Sequence, residues 1–116
     1  ETRHEDYLAA LARAETCRAR IDEAFAGLDA MISPCVKGEA PLGLNTTGDA
    51  LFNRNWTLLG VPCIHVPSRR GPQGLPLGVQ VVGPRGSDLD TLRCAHWIEA
   101  VLAVRSASPT DRSDLR

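Results

Sequence analysis

The sequence contains no apolar run approaching the roughly 20 residues that a bilayer span requires. Its opening residues, ETRHEDY, are charged and polar, so no secretory leader is visible. There is no initiator Met, which leaves room for an upstream segment. The formal net charge is −1, which argues against an electrostatic nucleic-acid binder, and Arg69-Arg70 is too small a patch to reverse that. Lys37 is the one lysine among 13 basic residues, so lysine-dependent chemistry has a single candidate. The four cysteines, Cys17, Cys35, Cys63 and Cys94, include no C-x-x-C pair and read as reduced, buried, small apolar residues. That pattern favours the cytoplasm.

Nucleotide motifs are missing too. There is no G-x-x-x-x-G-K-[ST] and no G-x-G-x-x-G, and Gly71, Gly74 and Gly78 have the wrong spacing for a phosphate cradle. Cys63 and His65 share a strand face, but a closed zinc site needs four ligands and no second pair lies nearby. A packed core histidine is the better reading. The six serines are isolated, and Lys37 lies in a loop, so no complete catalytic constellation is visible.

What remains is a soluble composition, 43% hydrophobic and 23% charged, of at most one domain. Thr2-x-x-Glu5 has the form of a capping box. Behind it Tyr7, Leu11, Ala14, Cys17, Ile21, Phe25 and Leu28 recur with helical period, and Gly27 is placed to end the helix. Leu28 to Ser33 reads as a short strand stopped by Pro34. Residues 34–48 form a long Pro/Gly loop, of a length more often functional than idle. Asp49 is placed to cap a short helix that Gly60 breaks.

Cys63 to Val66 and Leu75 to Val82 read as strands joined by a turn-rich connection. Ser87-x-x-Asp90 opens the last helix. Its stripes Leu92, Ala95, Ile98, Leu102 and Cys94, Trp97, Val101, Val104 make an unusually wide apolar face. The chain divides into 1–105 and a solvated tail, 106–116. Neither of the two uncharged strands alternates, so both faces need cover, as in a parallel or mixed sheet between helix layers. Three strands and three helices are too few to close such a sheet. Either the chain dimerises through an edge or it is one end of a larger α/β domain.

Taken in order, DAMISPCVKGEAPLG (29–43), TGDALFNRNWTLLGVPCIHVPS (47–68), GLPLGVQVVGPRGSD (74–88) and LDTLRCAHWIEAVL (89–102) resemble the C-terminal part of amidase signature enzymes. The resemblance covers nearly the whole chain. It implies an α/β/α sandwich around a mixed sheet, incomplete here, and hydrolysis of small-molecule carboxylic amides by a Ser–cis-Ser–Lys triad. It implies no metal and no organic cofactor.

The triad would lie in an N-terminal part of the same domain, which becomes the chain's chief partner. Lys37 does not match the family lysine, so no residue here inherits a catalytic role. Phe52, Trp56 and Thr57 are the expected wall of the substrate funnel, against the alternative that the aromatics only anchor their helix. His65 stands where relatives usually carry a small polar residue.

Two function classes remain: one end of an amide hydrolase, or a non-catalytic truncated or supporting subunit. The F-N…W-T segment looks more like the general amidases than the family's transamidation member that works on misacylated tRNA. A Gly/Ser-rich stretch with its lysine upstream of Glu1 would select the enzyme.

Overall fold

The computed structural model describes residues 3–107. The Thr2 half of the expected capping box, and the tail from residue 108, lie outside them. In chain order the elements are α1 (His4–Ala24), β1 (Met31–Pro34), α2 (Arg54–Leu59), β2 (Cys63–Arg70), β3 (Pro76–Val82) and α3 (Asp88–Ala107).

The strands form one sheet in the order β1-β3-β2. Both pairings are antiparallel, where two-sided apolar strands raised the expectation of parallel or mixed neighbours. The reason is the connection: residues 71–75 allow a hairpin, whereas a parallel neighbour needs a crossover of a dozen residues or more. β2 also runs four residues past Val66, through Pro67. A register irregularity between Pro67 and Arg69 accommodates it, on a strand that among the described residues is paired along one side only.

Helices cover both faces, as the strand composition requires. On one face Val66, Val81 and Ala95 form a buried cluster, joined by Ile64, Val79, Cys94, Ile98 and Leu102. On the other, Phe25, Val61 and Val82 are buried with Ile21, Met31, Trp56, Leu59 and Cys63 packed around them. The alternation along β3 makes the division: Val79 and Val81 point to α3, while Val82 points to α1 and α2. The architecture is α/β, with a central three-stranded layer between helices.

The last helix is seated by a close approach. Thr91 is fully buried, and its hydroxyl donates to the Ser87 carbonyl at 2.8 Å. A β-carbon on Gly83 would fall 1.8 Å from Thr91 Oγ1, so only glycine lets the strand end pass. The Ser87 hydroxyl donates to the Pro84 carbonyl at 2.6 Å rather than capping the helix through Asp90.

Much apolar surface is left uncovered. Tyr7, Leu8 and Leu11 on α1 are about half exposed; Ala14 is buried at mid-helix, and Ile21 near its end packs on the Phe25 cluster. Of the two stripes on α3, Ala95 and Ile98 pack but Trp97 is 67% exposed. Ile32, on the edge strand β1, is 61% exposed. The radius of gyration is 18.3 Å, against about 13 Å for a compact domain of 100 residues.

Among the described residues, no helix is long and apolar enough to cross a membrane. The four cysteines are free thiols, and their burial differs from the uniform expectation: Cys35 is buried, Cys63 and Cys94 are half-buried, and Cys17 is exposed.

Candidate functional site

The loop after β1 is held in place at several points. Lys37 Nζ lies 2.6 Å from the Asp49 carboxylate, which also accepts the Leu51 N–H at 2.9 Å. The hydrogen bond from Lys37 holds the Asp49 carboxyl below its ordinary range. Asp49 thus nucleates the turn before α2, and the regular helix starts later than expected, at Arg54. Glu39 reaches the tip of the β2–β3 hairpin, accepting the N–H groups of Gln73 at 3.0 Å and Leu75 at 2.9 Å. Four backbone or side-chain donors therefore fasten two carboxylates of one loop.

Two clefts share that loop. One, of about 520 Å³, lies at the end of β1, with Ile32, Ser33, Pro34, Val36, Lys37 and Arg69 in its wall. The other, of about 330 Å³, is enclosed by residues 36–41, 47–49 and Pro76. Neither is lined by Phe52, Trp56 or Thr57.

Those three sit on or beside α2. Trp56 packs against the Phe25, Val61 and Val82 cluster, and its indole N–H is buried without a hydrogen-bond partner. Phe52 is half-buried, and Thr57 is exposed with its hydroxyl donated to the Asn53 carbonyl at 3.1 Å. Asn53 Nδ2 in turn donates to the Cys35 carbonyl at 3.3 Å, which ties the start of α2 to the loop.

On the same sheet face, one row beyond the apolar cluster, the register aligns Ser33, Gln80 and His65. Ser33 Oγ lies 3.4 Å from Gln80 Oε1, and Gln80 is buried. His65 is exposed, not the packed core histidine expected, and its partner is Cys35 rather than Cys63: Nδ1 is 2.9 Å from Cys35 Sγ. Burial pushes the Cys35 thiol up from its ordinary range, and which of the two groups donates is set by the imidazole tautomer. Glycine at 78 makes this possible, because a β-carbon there would fall 2.6 Å from His65 Cε1. Sequence spacing pairs His65 with Cys63; the strand order, which a single sequence does not print, decides otherwise. Among the described residues no group of three or more His, Cys, Asp or Glu side chains could hold a metal.

Comparison with known proteins gives this arrangement its context. The family model described as Amidase matches residues 1–92. The chain belongs to the amidase family.

Among curated amidase relatives, a glutamyl-tRNA(Gln) amidotransferase subunit from Koribacter versatilis is 33% identical over 71% of this chain and 18% of its own length. Its namesakes from Rickettsia bellii and Cereibacter sphaeroides are each 37% identical, over 68% and 75% of this chain and 17% and 20% of their own lengths. A solved crystal structure of an amidase superposes with a TM-score of 0.75 at 31% identity, over 86% of this chain and 26% of that one. The chain thus spans about a fifth of the length of these curated relatives.

Proposed function

We propose that this chain forms the C-terminal lobe of an amide hydrolase, with the serine nucleophile, its cis-serine relay and the lysine base supplied by the rest of the amidase fold. The observation that carries this reading is the open side of the sandwich. Ile32 on the edge strand and Trp97 on α3 stay exposed, and the outer edge of β1 has no strand partner among the described residues. Such an edge and such faces belong against more of the same fold. The unpaired edge also offers a route to a homodimer.

Amide hydrolysis needs a nucleophile, a base and oxyanion donors positioned together. In this reading the chain contributes binding surface: Phe52, Trp56 and Thr57 form part of the substrate funnel wall, and the fastened loop frames it. The substrates are small carboxylic amides, and the lobe works without a cofactor in the cytoplasm.

A second reading has the support of the curated relatives, whose names describe one subunit of an amidotransferase. There the lobe would belong to a protein that works with partner subunits.

The test is release of ammonia or amine from a panel of aryl and aliphatic amides, with glutamine included. Residues 1–116 alone should be silent, and turnover should appear once the remainder of an amidase fold is joined or added. Preference for glutamine would favour the second reading. Turnover by the chain alone that disappears in Lys37→Ala would overturn both. In the completed enzyme, Trp56→Ala should reorder the amide panel if Trp56 lines the funnel. Uniform loss on every amide, in step with lost folded protein, would assign it to anchoring.

A further inference from the structure

The cleft of about 520 Å³ lies on the sheet face that α3 covers, at an end where no residue of α3 lines it. Pro34, Val36, Leu77 and Val79 give it apolar walls. Two cations, Lys37 and Arg69, also line it, and among the described residues no acid does.

Arg69 reaches that face through the irregularity in β2. Val66 pairs with Val79, and both belong to the cluster beneath α3. Side chains alternate along a strand, so an unbroken register would set Ser68 opposite Leu77 and turn Arg69 to the other face. The register instead passes over Ser68 and pairs Arg69 with Leu77. An extra residue of this kind re-aims the side chain that follows it. The neighbouring cations are already engaged: Lys37 Nζ is 2.6 Å from the Asp49 carboxylate, and Arg70 donates to the Gly74 carbonyl at 2.7 Å. Arg69 has no hydrogen-bond or ion-pair partner among the described residues.

We infer that this cleft is a binding site for small carboxylates with an apolar tail, the carboxylate being taken by the Arg69 guanidinium. A guanidinium offers a planar pair of N–H donors that matches a carboxylate, and one unanswered positive charge suits a monoanion. Apolar walls with a few polar groups are the usual lining of small-ligand sites, and the volume is in their usual range. Phe52, Trp56 and Thr57 do not line the cleft, so the site stands apart from the proposed substrate funnel.

The experiment titrates the isotope-labelled full 116-residue chain with sodium hexanoate at neutral pH and constant ionic strength, following backbone amide and arginine side-chain NMR signals. Signals of Arg69, Leu77 and Val79 should shift and saturate. Hexanamide keeps the tail without the charge, and acetate keeps the charge without the tail. Each should bind about ten-fold more weakly than hexanoate, or less still. Arg69→Gln should weaken hexanoate by about ten-fold and leave hexanamide unchanged. Arg70→Gln, the same change of charge one residue away, should leave hexanoate unchanged. No saturable shift at these residues, or equal affinity for hexanoate and either control, would overturn the inference. So would a folded Arg69→Gln chain that binds hexanoate as the parent does, or an equal loss in Arg70→Gln. Arg69 is exposed, so its substitution removes no core contact, and the comparison of the three ligands needs no variant.

Discussion

The two ends of the molecule bury their apolar residues very differently. Around β3 and the start of α3 the packing is closed: Val81, Val82 and Thr91 are fully buried, and each face of the central strand has its own helix. Along the first half of α1 and the edge strand β1, residues of the same chemistry lie open. The helical pattern of α1 is continuous from Tyr7 to Phe25, yet Tyr7 is 55% exposed and Phe25 only 4%. The difference is a matter of what lies opposite. A hairpin and two helices can close over one strand, but they cannot close over a 21-residue helix, about 30 Å long, and two sheet edges as well.

The contrast can be broken within one helix. Phe25→Ala should cost about 3–5 kcal/mol, because it empties the cluster shared with Val61 and Val82. Leu11→Ala, about four turns from any buried residue of this segment except Ala14, should stay within about 0.5 kcal/mol. Chemical denaturation of the two variants compares them directly. Equal losses would mean that the stripe on α1 is covered along its whole length in solution.

A smaller effect sharpens the closed end. Gly83→Ala should destabilise by about 1–3 kcal/mol, since the added carbon meets Thr91 Oγ1 and α3 must move. Melting curves check this, and an unchanged midpoint would mean that α3 is not seated as described.

The smallest effect concerns the ion pair between Arg85 and Asp22, which links the strand-to-helix turn to α1. The hydrogen bond from Arg85 holds the Asp22 carboxyl below its ordinary value of 3.8. A carboxyl lowered by folding contributes stability that is fully present above its unfolded value and is lost as the pH falls through the folded one. Arg85→Ala should therefore differ slightly from the parent at neutral pH, and the two should converge as the pH drops below 3.8. A gap that widens in acid would reverse the sign of this assignment.

How much of this is legible in the sequence follows from the range of each signal. The long helices are legible because their 3.6-residue stripes are local, and the uncharged strands announce cover on both faces. Which part of each stripe finds cover is not, since Leu11 and Phe25 look alike until something is placed opposite them. The reach of β2 through Pro67 escapes a sequence reading because proline ends a central strand but is tolerated at an edge, and edges are set by strand order. Cys35 and His65 meet for the same reason: β1 pairs with β3, and β3 with β2, so Ser33, Gln80 and His65 share one row and Cys35, just past the end of β1, comes beside His65. The family, by contrast, is carried by the order of several short motifs, none of which needs a contact map.

The central claim is that one side of this amidase lobe is complete in itself and the other is made to receive the rest of the fold. Amide hydrogen exchange on the full chain tests it most directly. Residues 79–82 and 91–95 should exchange slowly, and residues 4–11 and 31–34 quickly, with protection of the second group rising when the remainder of an amidase fold is supplied. Uniform slow exchange across α1 and β1 in the chain alone, unchanged on that addition, would contradict it.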